Sequence, residues 1–288
     1  MCGVVGFVGQ TKYPEICLKE MVNAINHRGP DNTGIWADSN IGLGHARLSI
    51  IDLSSAGHQP MHSVSSNFVM IFNGEIYNHN EIRMELNNLY ERKWTGHSDT
   101  ETLLEAIEQW GLETTLNKTK GMFSIALWDK RNRNLYLARD RMGEKPLYYG
   151  WVDNQFVFAS ELKAIKKFPK FNNSIDRNAL ALFLRFNSIP SPYSIYEDIF
   201  KLEPGTIIQF NADSKKIVKS TYWSTEEEFI KSSSSVFSGN FEDAVNQLEL
   251  ILSKAVSSQM ESDVPLGAFL SGGVDSSLIV ALMQSQSA

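Results

Sequence analysis

Cysteine is scarce in this sequence. Cys2 and Cys17 are the only two among 288 residues, too few for a disulfide framework and without metal-ligand spacing. That scarcity points to a reducing, cytoplasmic setting. Basic clusters are absent too. The 27 lysines and arginines are outnumbered by 33 acidic residues, and a net charge of −6 argues against nucleic acid as a partner. No apolar run approaches the length of a membrane span, and the first residues lack the basic and apolar regions of a signal peptide. Internal repeats are not visible. What is present is 42% hydrophobic and 21% charged, the composition of a soluble globular protein. The length favours two domains over one.

Strand and helix periods alternate along the chain. VVGFVG, closed by Gly9, reads as a buried strand, and Leu18, Met21, Val22 and Ile25 recur at helical spacing between Pro14 and Asn26. Cys17 lies on that helix as a small buried residue. NHRGPDNTG is turn chemistry. IGLGHARLSIID and NFVMIFNGEIY read as strands running into polar turns, and a helix follows near Asn80 to Leu89. Ser98, with Glu101 three residues later, is a capping-box signature at the head of another helix. MFSIALWD, NLYLARD, PLYYGWV and QFVFAS then make four strands, by their spacing an antiparallel meander. Short helices over Glu161–Lys167 and Arg177–Phe186 lead through a proline-rich connection to two last strands, TIIQF and KIVKSTYW. STEEEFIKSSSSVFSGN has the polar, serine-rich look of a linker. Beyond it an apolar helical stripe begins at Phe241. VPLGAFL then reads as a buried strand, SGGVDSS as a glycine-rich loop and SLIVALMQ as the start of a helix.

Two stretches carry chemistry. The loop from Ser271 to Ser276, between strand and helix, lets the backbone approach an anion, and the helix directs its free N–H groups and positive end toward it. No Gly-Lys-Ser/Thr follows, so this is not a Walker loop. The other stretch is MCGVVGF, where a cysteine stands second. Cysteine is small enough for removal of Met1 to be expected. Cys2 then carries a thiol of pKa about 8.5 and, on the same residue, an α-amine of about 7.7–8.0 able to take its proton. Thiol attack of this kind releases ammonia from the side-chain amide of glutamine. The tetrahedral intermediate needs donors, and FNGEIYN offers the side-chain amide of Asn73 and the N–H of Gly74. A free amino acid has two further groups to be held. Arg47, in HARLSI, can grip its carboxylate with two parallel hydrogen bonds, and Asp99, in HSDTE, can accept from its ammonium. Singly these are a turn, a surface arginine and a helix N-terminal carboxylate. It is the ensemble that carries weight.

Taken together, these residues make the chain resemble the glutamine-hydrolysing asparagine synthetases and their relatives in surface-polysaccharide modification. MCGVVGF, HRGPD, ARLSIIDLS, AGHQPM, FNGEIYN, SDTE, ARDRMGEKPLYY, FASELKA and LSGGVDSS stand in family order and span nearly the whole chain. The resemblance implies an α+β fold, a four-layer αββα N-terminal-nucleophile glutaminase, over residues 2–220. It further implies a linker over 221–240 and the first elements of an α/β ATP-pyrophosphatase domain over 241–288. It implies Cys2 as nucleophile, with Asn73 and Gly74 as oxyanion donors. Arg47, Leu48, Ser49, Ile50, Ile51, Asn73, Gly74, Glu75 and Asp99 are the implied glutamine pocket. Leu270, Ser271, Gly272, Gly273, Asp275 and Ser276 are the implied ATP contacts, Asp275 also helping to hold magnesium, and no organic cofactor is implied.

The reaction so implied passes ammonia from glutamine to an ATP-activated aspartate, β-aspartyl-AMP. A sugar carboxylate is the alternative acceptor, and an inactive binding or regulatory module is the alternative of another class. The partners are then glutamine, ATP and aspartate or another carboxylate, without nucleic acid or membrane, and a homodimer stays open. Family members continue well past the loop, so only the glutaminase half is expected to be competent. Residues from about 225 onward, lacking partner strands, are expected to be poorly ordered or packed non-natively, while 2–220 fold on their own. A Cys–His mechanism is the competing arrangement. His27 and His45 lie in matched motifs, where supporting the pocket is the expected role, and His58, His62, His79 and His97 read as loop or strand-end residues.

Overall fold

Strands that are apolar on both faces need cover on both faces, and that requirement sets the architecture. The computed structural model describes residues 1–89 and 91–287. The chain divides into two compact units, one of Met1–Ser49 with Ser54–Ser224, the other of residues from Thr225 on with Ile50–Leu53.

The first unit opens with β1 (Gly3–Val8), α1 (Pro14–Ala24), β2 (Asn32–Asp38), β3 (Ile41–Arg47), β4 (Met61–His62) and β5 (Phe68–Ile76). Helices α2 (His79–Leu89), α3 (Asp99–Trp110) and α4 (Leu112–Lys118) come next. Strands β6 (Gly121–Asp129), β7 (Asn134–Arg139), β8 (Tyr148–Val152) and β9 (Gln155–Ala159) follow. Helices α5 (Leu162–Ile165) and α6 (Arg177–Phe186) then precede β10 (Ile199–Lys201), β11 (Thr206–Asn211) and β12 (Ile217–Thr221). The strands form two six-stranded sheets, ordered β10-β8-β9-β1-β3-β2 and β12-β11-β7-β6-β5-β4.

Side-chain alternation assigns the layers. Val4 and Val8 of β1 join Val69 and Ile71 of β5 in a cluster between the sheets, where Phe156 stacks on Phe210 at 4.4 Å. Val5 and Phe7 point the other way and pack with Leu18, Met21 and Val22 of α1. Met70 and Phe72 pack with Leu103, Leu104 and Ile107 of α3. Helix, sheet, sheet and helix are thus the four layers, as the αββα resemblance implies. Ser98 caps α3 by accepting from Glu101 N at 3.2 Å. Glu101 reaches back past the cap to the amides of Thr95 and Gly96.

Several expectations need correction. The four strands between residues 122 and 160 do not form one meander, because β6 and β7 lie in one sheet and β8 and β9 in the other. The turn between them is organised by the buried carboxylate of Asp140, which accepts from the amides of Phe123, Met142, Glu144 and Lys145 at 2.9–3.1 Å. That turn carries the chain out of one sheet and into the other. Strand β2 begins in a stretch read as turn and β10 lies in one read as connection, their short periods hidden among glycine, asparagine and proline, while α4 falls where the sequence offers no reading.

The second unit contains α7 (Thr225–Ser233), α8 (Phe241–Ser258) and α9 (Val274–Gln286). The serine-rich stretch read as linker therefore holds a helix. A full capping box starts α8, with Asn240 accepting from Asp243 N and Asp243 from Asn240 N. VPLGAFL, read as a buried strand, is not one. It pairs with no strand among the described residues, Phe269 is fully exposed, and Leu270 is 62% exposed. A strand exists through its neighbour's hydrogen bonds, and apolar composition alone does not supply them.

Candidate functional site

Cys2 leads directly into β1, the strand central to one sheet. Its carbonyl accepts from Arg28 Nε at 2.9 Å, and Arg28 Nη1 donates to Glu161 at 3.0 Å. Glu161 is also paired with Lys163 and His27. The part-buried thiol sits on the backbone of Leu48, donating to its carbonyl and accepting from its N–H, both at 3.4 Å. Burial raises the Cys2 pKa above that of an ordinary thiol; the Leu48 N–H, the amino terminus and Arg47 pull it down, and Asp99 adds to the rise. The thiol is therefore held protonated and needs a base. The chain's own amino terminus lies within electrostatic reach, its pKa lowered by burial and further by Arg28 and Lys145.

The open edge of β5 supplies donors. Lys130 N to Asn67 O and Tyr77 N to Lys120 O bracket the β5–β6 ladder in one continuous register, so the odd-numbered residues of β5 bond to β6. The even-numbered amides face the opposite edge, which β4 covers only opposite Val69 and Met70. Beyond that cover, Phe72 N donates to Gln59 Oε1 at 2.6 Å and Ile76 N to Asp99 Oδ2 at 2.9 Å. The Gly74 N–H lies between them on the same edge, and no described strand or side chain takes it. A Cβ at Gly74 would stand 2.2 Å from the Met122 carbonyl, so only glycine fits. Asn73, 1% exposed, points between the sheets, and its Nδ2 has no protein partner. One backbone N–H and one side-chain amide are thus unpaired on consecutive residues, the pattern an oxyanion site requires.

Charges of both signs, Arg47 and Asp99, act on Cys2. Arg47 ends β3 and is buried, its Nη1 donating to Ser54 O at 3.0 Å. Asp99, first residue of α3, is buried as well, and burial raises its pKa although the amides of Ile76 and Thr100 bond to it. Arg47 and Asp99 suit the carboxylate and the ammonium of one free amino acid. Glu75 is half-buried with its pKa raised by burial, while the buried Lys145 opposes that rise. The amide of Ser49 donates to Asp31 at 2.8 Å, tying HRGPD to ARLS. Ile50 and Ile51, expected in the pocket, fall in the second unit, where Ile50 O accepts from Asp263 N.

Arg28 and Lys145 were not singled out from sequence, although both lie inside matched motifs. A charged residue between turn residues was the only local signal. His45 is fully buried, donates Nε2 to Phe72 O at 2.9 Å, and has its pKa pushed down to about 3 by burial. It is a neutral structural donor. His27 is exposed on Glu161, and His79 is buried at the head of α2 rather than in a loop.

In the second unit, Ser271 Oγ and Ser276 Oγ lie 2.8 Å apart, and Gly273 N donates to Ser271 Oγ at 3.4 Å. Gly272 takes a φ of 79°. Helix α9 starts after Gly273 with no side-chain cap, so its first amides face outward. Asp275 lies in that first turn, and no cluster of three or more His, Cys, Asp or Glu able to hold a metal occurs among the described residues. No helix among the described residues is long and apolar enough to cross a membrane.

Comparison with known proteins bears on both units. The glutamine amidotransferase domain family matches residues 1–223, and the asparagine synthase family matches 247–288. Asparagine synthetase [glutamine-hydrolyzing] 1 of Bacillus subtilis is 37% identical, over 98% of this chain and 44% of its own. Asparagine synthetase [glutamine-hydrolyzing] 3 of the same organism is 34% identical, over 98% and 45%. The chain spans about half the length of the curated relatives it matches. Among solved structures, the glutamine phosphoribosylpyrophosphate amidotransferase of B. subtilis superposes with a TM-score of 0.60 at 19% identity, covering 77% of this chain and 49% of that one. That likeness concerns the fold.

Proposed function

The chain belongs to the glutamine amidotransferase family, and from that premise we propose that it hydrolyses glutamine to glutamate and ammonia at Cys2, as the glutaminase portion of an asparagine-synthetase-type enzyme. With Met1 removed, the α-amine of Cys2 takes the thiol proton, directly or through a water, and the sulfur attacks the side-chain amide carbon of glutamine. Asn73 Nδ2 and the Gly74 N–H stabilise the oxyanion, while Arg47 and Asp99 hold the α-carboxylate and ammonium. The amine returns its proton to the departing nitrogen, which leaves as ammonia. Water then attacks the thioester through a second oxyanion, releasing glutamate and restoring the thiol. Leu48, Ser49 and Glu75 line the pocket.

The observation that carries this reading is the unpaired Asn73 amide beside the open Gly74 N–H, on an edge that Asp99 caps at Ile76, with Arg47 and Asp99 both acting on Cys2. Intact mass spectrometry with a glutaminase assay tests it. Active protein is expected to start at Cys2, and any N-terminal extension is expected to abolish ammonia release. Full activity with Met1 retained contradicts the mechanism.

For the remainder of the chain we assign residues 2–220 to this domain, 221–240 to a linker carrying α7, and 241–288 to the start of an ATP-binding domain. Leu270, Ser271, Gly272, Gly273, Asp275 and Ser276 would meet the phosphates of magnesium-bound ATP. The whole protein would use ATP to activate aspartate and pass ammonia to it. The match of residues 247–288 to the asparagine synthase family supports that acceptor. The free thiols of Cys2 and Cys17 fit a cytoplasmic setting.

A further inference from the structure

The unpaired edge of β5 raises a question that the donors alone do not answer. A strand edge without a neighbour is free to twist, yet an oxyanion donor has to keep its direction. Continuing the β4–β5 register from Met61↔Met70 and His62↔Val69 sets Pro60 opposite Ile71 and Gln59 opposite Phe72. Ile71 bonds to β6, so Pro60 opposite it sits at a position without a ladder bond, and Met61↔Met70 is the last main-chain pair on this edge. The backbone of Gln59 has left the sheet, its carbonyl lying 1.9 Å from where a Cβ on Gly34 of β2 would stand. Its side chain returns instead. Gln59 Oε1 accepts from Phe72 N at 2.6 Å, at the register position where a strand's carbonyl would have done so.

The other groups on this edge are held in the same way. The Phe72 carbonyl is held across the sandwich by His45 Nε2 at 2.9 Å. Gln59 Nε2 donates to Thr100 Oγ1 at 3.4 Å, and Thr100 Oγ1 donates to Asp99 Oδ1 at 3.4 Å. Asp99 Oδ2 closes the chain on Ile76 N. Both flanks of Gly74 are therefore fastened by side chains, and only the middle amide stays open. Gln59 is buried, as are His45 and Thr100. Buried amides and imidazoles are held in one orientation by such bonds.

We propose that Gln59, together with His45, is a positioning residue for the glutaminase reaction: its side chain continues the edge where strand β4 ends at Met61, and so keeps the Gly74 N–H aimed at the reacting carbonyl. This rests on the glutaminase reading above. Gln59 touches no substrate, and its effect is confined to the geometry of the oxyanion.

The test uses the full chain with Met1 removed. Glutaminase kcat and KM are measured along with inhibition by glutamate γ-semialdehyde, whose adduct with the thiol places an oxygen in the same hole. Alkylation of Cys2 by iodoacetamide, which needs no oxyanion, is the control. Gln59→Met keeps the length and loses the acceptor. It is expected to lower kcat about 10- to 100-fold, to weaken the aldehyde by a similar factor, and to leave KM within about twofold. Alkylation is expected to stay unchanged, and Gln59→Glu, which restores an acceptor, to recover most of kcat. Wild-type kcat in Gln59→Met, or a loss shared equally by KM or alkylation, overturns the proposal.

Amide exchange in the unmodified chain needs no variant. Phe72 and Ile76 are expected to be protected and Gly74 to exchange faster by about tenfold or more. A Phe72 amide as fast as Gly74 overturns the clamp. Absence of ammonia release by the wild-type chain would sink the glutaminase reading instead, and the exchange pattern still decides whether the clamp exists.

Discussion

Two stretches of nearly equal apolarity, VVGFV in the first unit and VPLGAFL in the second, end in opposite states. In β1 every residue is buried and the strand is flanked by β3 and β9. In the second unit residues 264–270 form no strand, and Leu266, Phe269 and Leu270 are exposed. Apolar composition is a demand for cover, and a strand forms only where a hydrogen-bonding neighbour meets that demand. The first unit meets it twice over, in the ladders and in two layers of helices. The same contrast separates function. The first unit's unpaired Asn73 amide is buried, whereas the loop before α9 is exposed.

The comparison can be broken or sharpened by substitution. The largest effect is expected from Cys2→Ala, a loss of glutaminase turnover on the order of 10⁶-fold, as nucleophile removal costs in comparable sites. Helical content over 241–286 is expected to be untouched, which circular dichroism checks. Next comes Phe156→Ala, at the stacked centre of the inter-sheet core, which should destabilise the first unit by about 3–5 kcal/mol in denaturant titrations. Asn73→Ala is expected to cost about 3–4 kcal/mol in transition-state stabilisation, seen as a 10²–10³-fold lower kcat with little change in glutamine affinity. A loss of binding with kcat intact would make Asn73 a ground-state contact instead.

Asp99→Asn acts on both binding and stability. Removing the charged acceptor should raise KM for glutamine about 10- to 100-fold, since hydrogen bonds to charged groups are worth about 1.5–3 kcal/mol. Stability should move the other way. The folded-state pKa of Asp99 lies above its ordinary value, so between the two the native chain holds a proton that the unfolded chain has released. Stability therefore falls as pH rises through that window, and the deficit persists above it. Asp99→Asn removes the deficit, so a higher melting temperature than wild type at neutral pH, without glutamine, is the expected reading. The smallest effect belongs to the second unit. Leu248→Ala on α8, where Leu248 is exposed, should change stability by no more than about 0.5 kcal/mol. A cost comparable to that of Phe156→Ala would show that α8 has a core of its own.

Much of this was legible in the residues, for identifiable reasons. The helices α1, α3, α6 and α8 announced themselves by period and cap, because those signals are local. Cys2, Arg47, Asn73, Gly74 and Asp99 were legible because each sits in a short stretch whose residue types suit one chemical task. The split of the four central strands between two sheets was not, since it depends on Asp140 collecting amides from both β6 and the following turn. Arg28 was missed because its partner Glu161 lies 133 residues away. Gln59 was one letter in a matched motif until the register of β4 set it opposite Phe72.

By itself, then, the sequence determined the apolar periods, the caps, the turn residues and the set of groups that a thiol-based attack on an amide would need. Those depend on neighbours within a few residues, where spacing is geometry. Only the tertiary structure decided which edge of β5 stays open, that Gln59 and Asp99 fasten it on either side of Gly74, and that VPLGAFL is no strand. Each of these is a hydrogen-bond account settled between segments far apart in the chain. A backbone amide is satisfied, fastened or left free by whatever the fold brings to it.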